Sequence, residues 1–282
     1  PEERAISHQK MLALLASDID NVDLERLYWR EDGSQFWGNL SGRRFHDTQG
    51  QDKGLLGVIL DITTRKQAEQ EASTLAFYDP LTGLPNRALL TEYLAKTIAS
   101  CEQDGRLAAV LFIDLDRFKI INDTYGHPTG DAVLQTIAQR LSQSVRPNDA
   151  VARLGGDEFV VLLRGLRSSQ YAALIAERIR IECETPVPVG DKKFTLSSSI
   201  GIALYPKDGQ DPATLVRNAD TAMYFAKQNG KNAHAFYNEE LNEKNRELLA
   251  IEQDLHQALK KKEFILYYQP QLSIHSGRIS GV

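Results

Sequence analysis

The stretch RLGGDEFVVLL, residues 153–163, limits the fold more than any other part of the 282-residue chain. Apolar runs, AVARL before and FVVLL after, flank two adjacent glycines. Glycine takes up positive φ without steric penalty, which a tight hairpin needs. The chain is therefore expected to reverse between two core strands, and it does so beside two acids, Asp157 and Glu158. Acids in a turn can be simply solvated, but a second cluster argues for more. LAAVLFIDLD reads as a buried strand with seven uncharged residues before Asp114 and Asp116. If the two strands are neighbours, Asp114 and Asp157 can share a divalent cation. Hard cations take oxygen ligands and leave room for phosphate oxygens. Two such ions can stabilise the attacking and leaving oxygens of a phosphoryl displacement. Like charges held this close need a cation to be tolerable.

Around this hairpin, from about residue 79 to 237, helical and strand patterns alternate. GDAVLQTIAQRLSQSV and SSQYAALIAERIRIECE read as helices, FTLSSSIGIALY as a long strand, and DPATLVRNADTAMYFAKQNG as a helix closed by a glycine stop signal. AHAFY reads as a last strand. The expected class is α+β: a mixed, mainly antiparallel sheet with flanking helices. Residues 1–63 look β-rich after a short helix, with a hairpin at Asp32-Gly33 and a third strand in GLLGVILDIT. Residues 64–78, polar with small apolar residues at helical spacing, read as a connecting helix. Residues 241–282 read as a long helix, a strand FILYYQP, a turn and the start of another strand. Within FIDLDRFKIINDTYGHPTGD, Asn122 is expected near a loop and Asp131 at a helix start, where turn and N-cap roles are the plain readings.

A net charge of −5 argues against nucleic acid as a partner. A mildly acidic protein can still bind a polyphosphate when metal ions bridge the like charges. Cys101 and Cys183 lack metal-ligand spacing and read as free thiols of a reducing compartment. No apolar run reaches the ~20 residues of a membrane span, and no signal peptide is visible. The expected location is cytoplasmic. The chain begins on Pro1 without an initiator Met, which leaves an upstream membrane anchor open.

Five motifs in order, DPLTGLPNR, FIDLDRFKIINDTYGHPTGD, RLGGDEF, SIGIALYP and ADTAMYFAKQNGKN, resemble the GGDEF family over about residues 73–240. The resemblance implies a βαββαβ core like the polymerase palm and the nucleotide cyclases. It implies a diguanylate cyclase, condensing two GTP into cyclic di-GMP with release of two pyrophosphates, in a bacterial second-messenger system. By the same resemblance, Asp114 and Asp157, helped by the Leu115 carbonyl, would hold Mg²⁺ (or Mn²⁺). Asp157 or Glu158 would assist deprotonation of the ribose 3′-OH, Glu158 also belonging to the metal site. Phe118, Asn122, His127 and Asp131 would line the nucleotide pocket, with Asn122 and Asp131 reading guanine. A carboxylate can accept from guanine N1–H and its exocyclic amine, a pair that adenine does not offer. Lys227 and Lys231 would contact the terminal phosphates. The second is more often Arg in the family, and Lys keeps the charge but not the fork geometry. One domain binds one GTP, so ring closure implies a homodimer with two sites face to face, where proximity supplies much of the rate.

RPND places Arg146 and Asp149 where the family has its product-inhibition site, Arg forking onto guanine or phosphate and Asp accepting from guanine. Residues 1–63 resemble the C-terminal part of a PAS domain, giving a partial PAS-like sheet before the main domain. Residues 241–282 resemble the start of an EAL phosphodiesterase domain. Its metal-binding acids are not in the chain, so no hydrolysis of cyclic di-GMP is expected from it. Two functional readings follow: an active cyclase, or a catalytically weak GTP-binding module that regulates a C-terminal EAL domain.

Overall fold

Nine residues, Leu107–Leu115, with no charge before Asp114 in the eighth place, form the central strand of the fold. In this computed structural model residues 21–239, 251, 254, 255, 257–261 and 263–281 are described. The chain divides into two units, residues 1–78 and 79–282.

The first unit holds β1 (Asn21–Trp29), β2 (Gln35–His46) and β3 (Asp52–Asp61) as an antiparallel sheet in chain order. The β1–β2 hairpin turns at Asp32-Gly33 as expected: Gly33 has φ 82°, and the Asp32 carboxylate accepts from Ser34 N–H at 2.8 Å. Helix α1 (Thr63–Phe77) starts where the Asp61 carboxylate accepts from the amide and hydroxyl of Thr63. Arg65 and Lys66 of α1 both reach Glu25 of β1. The short helix expected within residues 1–20 lies outside the described residues.

The second unit is built on a five-stranded sheet in the order β10-β9-β4-β6-β5. Here β4 is Leu107–Leu115, β5 Ala150–Gly155, β6 Glu158–Leu166, β9 Ser198–Tyr205 and β10 His234–Phe236. β4 runs antiparallel to both β6 and β9, and β5 antiparallel to β6, while β10 is parallel to β9. The sheet is thus mixed and mainly antiparallel. Two apolar layers sandwich it, because side chains alternate along a strand. Ala109, Leu111, Ile113 and Leu115 of β4 face one layer, filled by α3 (Phe118–Tyr125), α4 (His127–Gln143) and α5 (Gln170–Glu184). Ala108, Val110 and Phe112 face the other, filled by α2 (Arg87–Asp104) and α6 (Pro212–Gln228). Small residues let α6 lie close: a Cβ on Gly201 of β9 would stand 1.9 Å from the Ala219 carbonyl oxygen and 2.2 Å from Met223 N.

Four elements depart from the sequence reading. α2, capped by Asn86 through the amides of Ala88 and Leu89, and α3 are additional helices. The expected long strand 194–205 is interrupted: Phe194 ends β8 (Lys192–Phe194), which pairs with β7 (Val187–Val189), and β9 begins only at Ser198. FILYYQP forms no strand; the short pair β11 (Gln271–Leu272) and β12 (Ile279–Gly281) follows it. Most of the expected long helix after residue 240 lies outside the described residues. Cys101 and Cys183 are buried free thiols, and burial pushes Cys183 up to about 11. Among the described residues no helix is long and apolar enough to cross a membrane.

Candidate active site

The acids collect at one end of the sheet because of strand register. Asp114 on β4 lies directly opposite Glu158 on β6, and Gly155 closes the β5–β6 hairpin opposite the same Glu158. Gly155 and Gly156 have φ of 142° and 52°, the positive values expected of this turn. Asp157 follows in the turn itself. The turn is braced from outside. Arg153 donates through Nη2 and Nε to the Gly156 carbonyl at 2.7 and 3.1 Å, and through Nη1 to both oxygens of Asp79 at 2.9 and 3.1 Å. Asp79 also accepts from the amide and hydroxyl of Thr82, at 2.9 and 2.6 Å. The bracing role of Asp79 and Arg153 goes beyond the sequence expectations; an Asp followed three residues later by Thr is the signal that points to it.

Asp114 continues the strand face of Val110 and Phe112, so it points toward α6. There Lys227 pairs with it at 2.6 Å. Asp114 is 7% exposed. Burial pushes its carboxyl up to about 6, against the pull of Lys227 and with the Asp157 and Asp116 charges adding to the rise. Burial also raises Glu158, helped by the like charges of Asp220 and Asp157. Asp116 is engaged elsewhere. It accepts from the hydroxyls of Ser197 and Ser199 at 2.7 and 2.8 Å and from Asn232 N–H at 3.1 Å. That last bond anchors the loop carrying Lys231, where Lys231 and Asn232 both have positive φ. Lys231 and Asp116 border the same open cleft of about 550 Å³.

Asn122 lies in α3 rather than near a loop, and Asp131 sits one turn inside α4, whose N-cap is Gly126. Phe118, at the start of α3, is buried; His127, at the start of α4, is exposed. Among the described residues neither the Asn122 amide nor the Asp131 carboxylate makes a side-chain hydrogen bond, so both are available to a ligand.

Arg146 and Asp149 form the turn before β5. Asp149 accepts from the backbone N–H of Arg146 at 3.1 Å and of Arg164 at 3.0 Å, so each of its oxygens already holds the turn. The Arg146 guanidinium lies 4.1 Å from the Tyr171 ring centroid. Arg106, Arg164 and Lys96 join Arg146 and Asp149 around a cleft of about 710 Å³.

Among the described residues no three Asp, Glu, His or Cys side chains already converge on a metal position. The donor chemistry nevertheless fits a hard divalent cation. Asp114, Asp157 and the carbonyl of Leu115, the last residue of β4, are all oxygen donors at one strand end, and phosphate or water oxygens complete such sets. A cation bound there would compete at Asp114 with the ammonium of Lys227.

A mixed sheet with acids at the ends of two adjoining central strands, helices on both faces and a lysine reaching over the acids defines a nucleotide-cyclase-like α+β domain. Residues 76–233 match the family described as diguanylate cyclase, GGDEF domain, and the chain belongs to that family. It is 43% identical over 220 residues to MucR, a bifunctional diguanylate cyclase and cyclic di-GMP phosphodiesterase of Pseudomonas aeruginosa, covering 78% of this chain and 32% of MucR. The chain therefore spans about a third of that relative's length. The structure of the GGDEF domain of TpbB (YfiN) from Pseudomonas aeruginosa superposes with a TM-score of 0.59 at 42% identity, covering 60% of this chain and 99% of that one. The coiled coil and GGDEF domain of DgcB from Caulobacter crescentus, solved with cyclic di-GMP, gives 0.56 at 26% identity over 62% of this chain and 93% of that one.

Proposed function

We propose that the chain is a diguanylate cyclase. The observation that carries this is the register that sets Asp114 opposite Glu158, with Asp157 in the adjoining turn and Lys227 at 2.6 Å. Each GTP would offer its 3′-OH to the α-phosphate of the other; an O–P bond forms, the bond to pyrophosphate breaks, and Asp157 or Glu158 assists removal of the hydroxyl proton. Asp114 and Asp157, with the Leu115 carbonyl, would hold Mg²⁺ (or Mn²⁺), which when bound neutralises phosphate charge. Lys227, released from Asp114, would join Lys231 on the terminal phosphates. Phe118, Asn122, His127 and Asp131 would enclose the guanine. Because one chain offers one such site, the working form is a homodimer. Arg146, beside Tyr171 and three further cations, is the anchor for product inhibition by cyclic di-GMP, with Asp149 shaping the turn. The N-terminal sheet is read as the last part of a PAS domain, and residues 241–282 as the start of an EAL domain.

The second reading is a GTP-binding module that regulates a following EAL phosphodiesterase. The match to a bifunctional relative, only 32% of whose length is covered, favours keeping it. Incubating the chain with GTP and Mg²⁺ and separating the products decides between them. Cyclic di-GMP that disappears in Asp157→Ala supports the cyclase. GTP bound but unchanged, also in a forced dimer, supports the regulatory module.

A further inference from the structure

Gly130 is a glycine inside a helix, where glycine costs about 1 kcal/mol relative to alanine. Its backbone is not in the left-handed region, so no turn demands it. What excludes a side chain is a neighbour. A Cβ at Gly130 would lie 1.9 Å from Oδ1 and 3.0 Å from Cγ of Asn122, and 3.0 Å from Cζ of Phe118. The far end of a flexible side chain can retreat from such a contact. Phe118 cannot, being 4% exposed in the core. Asn122 can, since no hydrogen bond holds its amide, but only by moving away from α4.

We propose that Gly130 is a positioning residue for base selection. Its missing side chain leaves the notch in which the Asn122 amide lies against α4, next to Asp131. The inference rests on the reading of Asn122 and Asp131 as guanine-recognising groups and extends it to a residue with no polar atom of its own to offer the base. An added methyl would shift the amide and leave its hydrogen bond to the base unmade. The chemistry at Asp114, Asp157 and Glu158 lies on other elements.

The test uses the full chain and triphosphates lacking the attacking hydroxyl, 3′-deoxy-GTP and 3′-deoxy-ATP, so that binding is measured without turnover. Gly130→Ala should weaken 3′-deoxy-GTP about tenfold, the worth of one lost hydrogen bond. The 3′-deoxy-ATP affinity should stay as it was, so the guanine-over-adenine ratio falls by the same factor. In an Asn122→Ala background, where the clashing amide is gone, Gly130→Ala should add no further loss. Equal weakening of both nucleotides, or losses that multiply in the double variant, would overturn the inference. If Gly130→Ala alone fails to fold, a folded Asn122→Ala/Gly130→Ala protein supports the contact, and two unfolded proteins overturn it. Wild-type protein that binds neither nucleotide would overturn the nucleotide-pocket reading and this inference with it. Wild-type affinity retained in Gly130→Ala would overturn the inference alone.

Discussion

Asp114→Asn measures what it costs this fold to keep a charge at the end of its central strand. Burial lifts the Asp114 carboxyl from an ordinary 3.8 to about 6. Each pH unit of such a difference corresponds to about 1.36 kcal/mol, so the cost at neutral pH is about 3 kcal/mol. Below pH 3.8 the acid is protonated in both folded and unfolded chains, and nothing is lost. Between the two values the unfolded chain ionises while the folded protein retains its proton, so stability falls as pH rises. Above about 6 both states are charged and the full cost is present. Asparagine copies the protonated acid and escapes it. Lys227 loses its partner, but its side chain is 30% exposed and can turn to water. Denaturant unfolding in the presence of a chelator should therefore find Asp114→Asn more stable by about 3 kcal/mol at pH 8. The advantage should shrink steadily below pH 6. Added Mg²⁺ should raise the midpoint of the wild type and not of the variant. A variant less stable than wild type at pH 8, or a difference that does not change with pH, would refute this account of the site.

Asp79→Ala removes the partner of a nearly buried arginine and should destabilise the protein by about 3 kcal/mol in the same assay. Although burial opposes it, the bonds from Thr82 and Arg153 hold the Asp79 carboxyl below its usual range. Its contribution is thus full above pH 3.8 and fades as pH falls through the lower folded value, so wild type and variant should converge in acid. Gly201→Ala should cost about 3 kcal/mol or more, because the added methyl meets helix backbone rather than a side chain that can move; wild-type stability would show that α6 can shift. Arg146→Ala should relieve inhibition by added cyclic di-GMP while leaving the initial rate unchanged, and inhibition that persists at the same concentration would remove Arg146 from that role.

The hairpin and the central strand were legible because their signals are local: two glycines for the turn, and an apolar run ending in acids for β4. Asp114 and Asp116 were not separable by that logic, since residues two apart share a strand face. What separates them is non-local, the hydroxyls of Ser197 and Ser199 that engage Asp116 from the neighbouring strand segment. The stretch IINDTYG has the composition of a turn, yet it is helical up to Tyr125; Phe118 is buried at the start of this helix and Tyr125 meets Phe194 edge-on at 5.1 Å. α2 carries a helical stripe in Leu90, Leu94, Ile98 and Cys101, all buried, so its signal is local and legible in the sequence. FILYYQP has strand composition, but a strand also needs a partner to bond with, and Phe264 through Tyr268 are 57% to 90% exposed. The role of Gly130 is invisible in one dimension because it is defined by a side chain eight residues earlier.

The absence of a Cβ at Gly201 also sets a clock. With the carbonyl of Ala219 and the amide of Met223 seated directly on β9, α6 has no slack in which to slide. Lys227 is on that helix, so in the proposed mechanism its transfer from Asp114 to a phosphate would be left to rotation about its own side-chain bonds. Rotations of that kind take picoseconds to nanoseconds, whereas helix shifts take microseconds or longer. In the proposed cyclase, handing over the ammonium would then not be the slow step, which would lie instead in the chemistry, the release of product or the meeting of two protomers.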